Sequence, residues 1–245
     1  MQISDDIFLG PAVAGGPFAE PTNPAPMERG VGPLGRVYVF DVVPVASGTA
    51  LLAALQTTGG AANLALAAGV GVTARTRSDG TIEYVLDVPR SISLTSAGNV
   101  SAVSFTIFGF DQYGQPLSQL LGGPNISTVS TLKTFRSITR VFAGNAVGSA
   151  TSVGFTDRLG LPVRVTDAGY VISVKWAGVV TQDAGTFSAA DVTAPATTTT
   201  GDVRGVYLPS SAANGARRLV MAIAVPAIAC GPQATRIGAF GVTQA

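Results

Sequence analysis

An alternating strand that runs into a turn, within residues 101–125, constrains the fold of this chain most. Val103, Phe105 and Ile107 fall on one face of the strand, and the polar residues between them fall on the other. Alternation with a period of two is typical of a half-buried β-strand. The four residues Asp111-Gln112-Tyr113-Gly114 then supply turn chemistry, since aspartate can bond its own backbone and glycine can adopt positive φ. This stretch predicts a β-sheet protein and does not indicate catalysis.

Further β-branched, aromatic or alternating runs are separated by turns rich in Gly, Pro, Ser and Asn. They predict strands over residues 36–44, 62–75, 81–88, 90–95, 131–142, 151–155, 161–165, 170–177 and 217–228. Asp79-Gly80 predicts one hairpin, between the strands at 62–75 and 81–88. Residues 96–100 predict a second hairpin, between 90–95 and 101–110.

Three segments depart from this simple pattern. Residues 131–142 carry basic side chains that fit neither period, so we expect a strand with a bulge or an irregular end. Residues 49–56, TALLAALQ, predict a short helix from their leucines and alanines. Residues 191–202 contain the run TAPATTTTG and predict an exposed loop. Many short strands with almost no helical period predict an all-β fold, either a β-sandwich or a jelly roll.

Residues 1–35 predict an extended amino-terminal arm, because six prolines remove backbone donors and fix φ. Residues 36–245 then form the β domain, and a subdivision near residues 178–205 is left open. The arm also carries apolar side chains that we expect to contact a partner such as a neighbouring subunit: Ile7, Phe8, Leu9 and Phe18. The alternative is a disordered tail.

Composition disfavours several classes of function. Charged residues make up 12% of the chain, against roughly 25% in an average soluble protein, and no basic cluster is present to bind nucleic acid. No apolar run approaches the ~20 residues of a membrane-spanning helix, so no membrane partner is expected.

Cys230 is the only cysteine, which excludes an intrachain disulfide and predicts a small buried side chain. Two acids near the amino terminus, where a secretory signal carries positive charge, argue against export by that route.

Catalytic chemistry is not indicated. The chain has no histidine, the commonest general base and transition-metal ligand. Glu83 and Asp87 share a strand face but lie roughly 13 Å apart at the strand rise of ~3.3 Å per residue, beyond the ~5–9.5 Å used by glycosidase carboxylates. We interpret them as a solvated face, expect Trp176 to pack in the core, and predict no catalytic residue, cofactor or metal.

Three motifs occur in order in the middle of the chain: FTIFGFDQYGQP at residues 105–116, LKTFRSITRVF at 132–142 and SVGFTDRLGLPVRV at 152–165. This series resembles virion structural proteins of tailed double-stranded DNA bacteriophages, and GPLGRVYVFDVVP near residue 40 is similar too. One departure is Gln119, which stands where an acid is expected after the DQYG turn.

The resemblance implies a virion protein of the capsid cement or decoration type. Such a protein clamps subunits of the major capsid protein from the outside of the head, contacts copies of itself as a homo-oligomer, and is made in the host cytoplasm. The alternatives are a tail or head-tail junction structural protein, and a receptor-binding or carbohydrate-binding virion module. We expect Asp111, Tyr113 and Gly114 to shape the fold, and the partner contacts to lie in the arm and loops.

Overall fold

The computed structural model describes residues 3–8, 34–191 and 201–226. The strands of these residues are, in chain order, β1 (Ile3–Phe8), β2 (Leu34–Val42), β3 (Gly48–Thr58), β4 (Ala62–Asn63), β5 (Val72–Thr76), β6 (Ile82–Asn99), β7 (Ser104–Phe110), β8 (Pro116–Gly122), β9 (Asn125–Ser130), β10 (Phe135–Ala143), β11 (Val147–Gly160), β12 (Val171–Trp176), β13 (Thr186–Ser188), β14 (Val206–Leu208) and β15 (Leu219–Pro226). A 3₁₀ turn at Ala168–Tyr170 is the only helical element in the described ranges. The prediction of an all-β fold is confirmed.

The strands form two antiparallel sheets. The smaller sheet has the order β1-β2-β15-β12. The larger sheet follows the path β13-β14-β11-β6-β10-β7-β8, while β3 joins it on β11, β4 on β10, and both β5 and β9 on β6. This arrangement is consistent with a β-sandwich.

The long strand β6 turns a corner in the larger sheet at Arg90. Its first half pairs with β5 and β10, and its second half pairs with β9 and β11. Arg90 itself is in register with Phe135 of β10 and with Leu159 of β11, and both of those strands shift register beside it. Bulged partners of this kind let one strand pass from one layer of a sandwich to the other.

Two apolar cores result from this topology. The first core is formed by side chains of the larger sheet that pack on one another. It contains Phe105 and Ile107 of β7, Phe135 of β10 and Phe155 of β11. The second lies against the smaller sheet and is built around Trp176, which is 4% exposed. The prediction that Trp176 packs in the core is confirmed.

Several local predictions are confirmed as well. Val103, Phe105 and Ile107 are buried, and β7 and β8 are joined through the Asp111–Gly114 turn. The Asp79-Gly80 hairpin joins β5 to β6, with Gly80 at φ +81°. Register shifts in β10 bear out the irregularity expected from its basic residues.

The predicted helix at 49–56 is wrong, since these residues lie in β3. This strand pairs with β11 and buries Leu52 and Ala53, so long-range pairing overrides the helical preference of alanine and leucine.

The predicted hairpin between 90–95 and 101–110 is also wrong. Residues 96–99 continue β6, which runs on to pair with β9, and β10 lies between β6 and β7 in the sheet. The pairing is set by distant parts of the chain, which local turn signals do not report.

The predicted strand at 161–165 is not a ladder strand. Leu161 and Val165 are buried, but Pro162 lacks a donor and the backbone of the segment makes scattered bonds to Arg204, Gly205 and Ala190 in place of a ladder. The predicted exposed loop at 191–202 has buried ends, because the Asp191 amide donates to the Asp202 carbonyl at 2.7 Å. Residues 192–200 between them, like Cys230, lie outside the described residues.

Candidate interaction surface

The predicted partner-contact residues fall in two groups. Ile7 and Phe8 lie in β1, an edge strand of the smaller sheet, where they are in register with Gly35 and Leu34. This ladder was not expected in so proline-rich an arm, but the prolines begin only after it, at Pro11. Leu9 and Phe18 lie outside the described residues, so their contact with a partner stays a prediction.

Glu83 is buried, so its interpretation as part of a solvated face is wrong. Its Oε2 accepts from Arg75 Nη2 at 2.8 Å and from Arg77 Nη1 at 3.2 Å, and its Oε1 accepts from the Ser137 hydroxyl. Burial by itself would raise the pKa of Glu83, but the hydrogen bonds from Ser137 and Arg75 and the charge of Arg75 outweigh burial and lower that pKa. Glu83 is therefore a structural anion.

Asp87 is not a free surface carboxylate either, because it binds the fully buried Arg90 at the sheet corner. Arg90 Nε and Nη2 donate to the two Asp87 oxygens at 2.9 and 2.7 Å, and Nη1 donates to Asp157 at 3.1 Å. Nη2 also donates to the Val45 carbonyl at 2.7 Å. A planar donor fork of this kind satisfies acceptors that the broken ladders leave unpaired.

The DQYG turn is tied to the second half of the chain through Asp111. Asp111 Oδ1 accepts from the Tyr113 and Gln115 amides, each at 2.8 Å, while Oδ2 accepts from Arg204 Nη1 at 2.8 Å. Gly114 adopts φ +78°, and the Tyr113 hydroxyl donates to the Pro162 carbonyl at 2.5 Å. The prediction that Asp111, Tyr113 and Gly114 shape the fold is confirmed.

Gln119, the departure from the expected acid, has a structural partner. Its Oε1 accepts from the Lys133 backbone amide at 2.9 Å, and the buried Lys133 Nζ donates to the Ser118 carbonyl at 3.1 Å. Burial lowers the pKa of Lys133, and the nearby charges of Asp202 and Asp191 oppose that shift. Lys133 thus covers part of the outer edge of β8, which reduces the backbone available for strand addition.

An open groove lies on the outer face of β10, β7 and β8, opposite the first core. We call it the Arg140 groove and define it by six of its lining residues: Phe108, Phe110, Pro116, Ser118, Thr139 and Arg140. Its volume is about 380 Å³. The two phenylalanines are half-buried, and the Arg140 guanidinium lies 3.9 Å from the centre of the Phe108 ring.

Local backbone geometry brings these side chains together. Gly109, between the two phenylalanines, approaches the Ser137 carbonyl so closely that a Cβ would collide with it. The β10–β7 register shifts between Ile138 and Arg140, next to this contact. The shift places Arg140 opposite Phe108 on the outer face.

The groove could have been predicted from the alternation in FTIFGF. Phe108 and Phe110 stand on the strand face opposite to the buried Phe105 and Ile107, where polar residues are usual. Aromatic residues on the outward face of a half-buried strand indicate a surface available for a partner.

A smaller cleft of about 200 Å³ lies between the two sheets and is lined by Asp41, Asp87, Gln112 and Arg136 among others. Its carboxylates are already engaged, Asp41 by Arg218 and Asp87 by Arg90. Arg136 donates to the Leu86 carbonyl. This cleft is therefore part of the packing between the sheets.

The described residues also bear on metal binding and on membrane insertion. No group of three or more acidic, cysteine or histidine side chains is placed to hold a metal ion there. Within the same residues, no helix has the length and apolar character needed to cross a membrane.

Comparison with known proteins gives no relative. No protein-family model, no curated protein and no solved structure matches this chain.

Proposed function

We propose that this protein is a non-enzymatic structural component of a tailed-phage particle and acts as a cement protein on the outside of the head. Its partners are then the major capsid protein and further copies of itself. The observation that carries the proposal is the division of roles between the inside and the outside of the described fold. Ion pairs hold the fold together, while the two outward aromatic rings carry stacked arginines, Arg140 on Phe108 and Arg77 on Phe110; of these two arginines only Arg140 lacks a carboxylate partner among the described residues.

The inward charges support a structural role because each carboxylate concerned is bound by several donors. Glu83 is held by two arginines and a serine, and Asp111 by Arg204 and two backbone amides. The hydrogen bonds and the charge of Arg75 lower the pKa of Glu83, so Glu83 is stabilised as an anion and is poorly suited to exchanging protons with a substrate.

The outer face supports the choice of a cement role. Apolar side chains are exposed on or near the larger sheet, including Leu120 at 54% and Ile82 at 49%. A protein bound to a shell in many copies does not need a strong single contact, because weak contacts add when copies are linked to one another. The motif series of residues 105–165 supports the same assignment by its resemblance to phage virion proteins.

The test is to add purified protein to expanded, undecorated capsids of the phage that encodes it. The proposal predicts saturable binding, measured by co-sedimentation, and a higher melting temperature of the capsids in differential scanning calorimetry. Absence of both effects would reject the cement role. Specific binding to a glycan array with no capsid binding would instead favour the receptor-binding or carbohydrate-binding class.

A further inference from the structure

We propose that the Arg140 groove is the contact site for a carboxylate on the neighbouring capsid-shell subunit. Arg140 supplies the charged contact, and Phe108 and Phe110 supply the apolar floor. This inference rests on the proposed cement function and adds to it the surface used and the chemistry of the partner.

Arginines that stack on aromatic rings in this protein differ in their other partners. Among the described residues, five stack on aromatic rings: Arg77, Arg90, Arg140, Arg204 and Arg217. Arg77, Arg90 and Arg204 also bind a carboxylate. Arg217 donates to the Ala212 carbonyl at 2.8 Å. Arg140 is exposed and has neither kind of bond within the described part of the chain. Its guanidinium is fixed by the Phe108 ring and keeps its donors for a partner.

Some charges keep no opposite partner once the ion pairs are set aside. In the part of the chain whose side chains are described, the cations without a carboxylate at ion-pair distance are Arg136, Arg140, Arg158, Lys175 and Arg217, and the acids without a cation at that distance are Asp79, Asp167, Asp183 and Asp202. Arg140 is the only exposed residue among these five cations. An exposed arginine without a carboxylate of its own favours an acidic partner over a second copy that presents the same arginine.

The stacked guanidinium of Arg140 has a geometry suited to a carboxylate. A guanidinium lying flat on an aromatic ring can offer two parallel N–H groups to one carboxylate, which an ammonium group cannot do. The methylene groups of a glutamate or aspartate can then lie against Pro116 and beside Phe110, over whose ring Arg77 stacks at 4.1 Å. The apolar floor excludes water around the ion pair, and this strengthens the pair compared with one on an open surface.

The experiment measures binding of full-length variants to expanded, undecorated capsids at low and at moderate salt. Arg140→Glu reverses the charge, Arg140→Lys keeps the charge without the planar fork, and Ser118→Glu adds a carboxylate to the groove while leaving the stacking intact. Lys175→Glu is the matched control, because it makes the same charge change on β12 of the smaller sheet. Thermal unfolding and light scattering of each free protein check its fold and its oligomeric state.

We expect Arg140→Glu and Ser118→Glu to weaken binding by about tenfold or more, Arg140→Lys to be intermediate, and Lys175→Glu to bind like the wild type. The losses should shrink as salt is raised. If the wild type binds and Arg140→Glu binds equally well, the inference is wrong while the cement role stands. Equal losses for Arg140→Glu and Lys175→Glu would also overturn it, since they would indicate unspecific attraction.

Two further outcomes would overturn the assignment in other ways. If Arg140→Glu dissociates an oligomer of the free protein, the occupant of the groove is a second copy. If the wild type does not bind capsids at all, both the inference and the proposed function fail.

Discussion

Arg204 and Arg140 each lie against an aromatic ring, but one is inside the molecule and the other is outside. Arg204 is 2% exposed, stacks 5.4 Å from the Tyr113 ring centre and binds Asp111. Arg140 is exposed, stacks 3.9 Å from the Phe108 ring centre and binds no carboxylate among the described residues. The same pairing of residue types therefore serves folding in one place and is available for recognition in the other.

The difference between Arg204 and Arg140 shows where this chain places its few charged residues. The charges are few, and many of them face inward, where a buried ion pair is costly to break because the remaining partner is stranded. The outward arginine can be changed without that penalty. Variants of the inward Arg90 and Arg204 can therefore be set against variants of the outward Arg218 and Arg140.

The largest effect is expected for Arg90→Met, at the sheet corner. The substitution leaves Asp87 and Asp157 without their main partner and frees the Val45 carbonyl, so the free energy of unfolding should fall by about 3–5 kcal/mol. Urea denaturation measures this loss. The control is Arg218→Met, which removes an exposed pair with Asp41 and should leave the denaturation midpoint nearly unchanged. Similar losses for both variants would show that the corner does not depend on Arg90.

A somewhat smaller effect is expected at the link between the DQYG turn and the second half of the chain. Arg204→Met should cost about 2–3 kcal/mol, because it strands the buried Asp111 carboxylate. Asp111→Asn keeps the oxygen that accepts the two turn amides, so it removes only the ionic contact. The double variant should lose less than the sum of the single losses, by about 1–2 kcal/mol. Simple additivity would contradict a direct coupling of the two residues.

A pH-dependent effect is expected from Glu83. Because its pKa in the folded protein is lowered, Glu83 contributes stability that is present above its ordinary pKa of 4.5 and is lost as the pH falls through its folded-state pKa. Thermal unfolding from neutral to acidic pH should show this loss in the wild type. In Glu83→Gln the melting temperature should be lower at neutral pH and should fall less on acidification. An equal fall in both proteins would exclude Glu83 as a source of the acid sensitivity.

The smallest effect on stability is expected for Arg140→Ala. The side chain is exposed and has no ion pair to break within the described residues, so the free energy of unfolding should change by less than about 0.5 kcal/mol. Urea denaturation beside Arg204→Met makes the comparison direct. A loss as large as that of Arg204→Met would place Arg140 among the residues that hold the fold.

Local patterns in the sequence predict the parts of the fold that depend on neighbours in the chain. Alternation predicts the buried face of β7, the Asp79-Gly80 pair predicts a hairpin that forms, and DQYG predicts the turn that follows β7. The strand order could not be predicted this way, because β10 lies between β6 and β7 in the sheet but begins only at Phe135, after β7, β8 and β9 in the chain. β3 was assigned as a helix for the same reason, since its pairing with β11 is a distant one.

The candidate site was less predictable than the fold. Glu83 and Asp87 alternate like surface residues, and only the arrangement of Arg75, Arg77 and Arg90 around them shows that both carboxylates are bound by arginines. Phe108 and Phe110, the aromatic residues of the Arg140 groove, could be placed on the outer strand face from the sequence. The register shift that brings Arg140 beside them could not be predicted.

The copy number of this chain relative to the major capsid protein in purified particles tests the central claim most directly. Quantitative mass spectrometry of intact virions gives that ratio. The cement role predicts on the order of hundreds of copies per particle, in a simple ratio to the shell subunit. A count of about six or about twelve, as in a closed ring of the neck or tail, would contradict it.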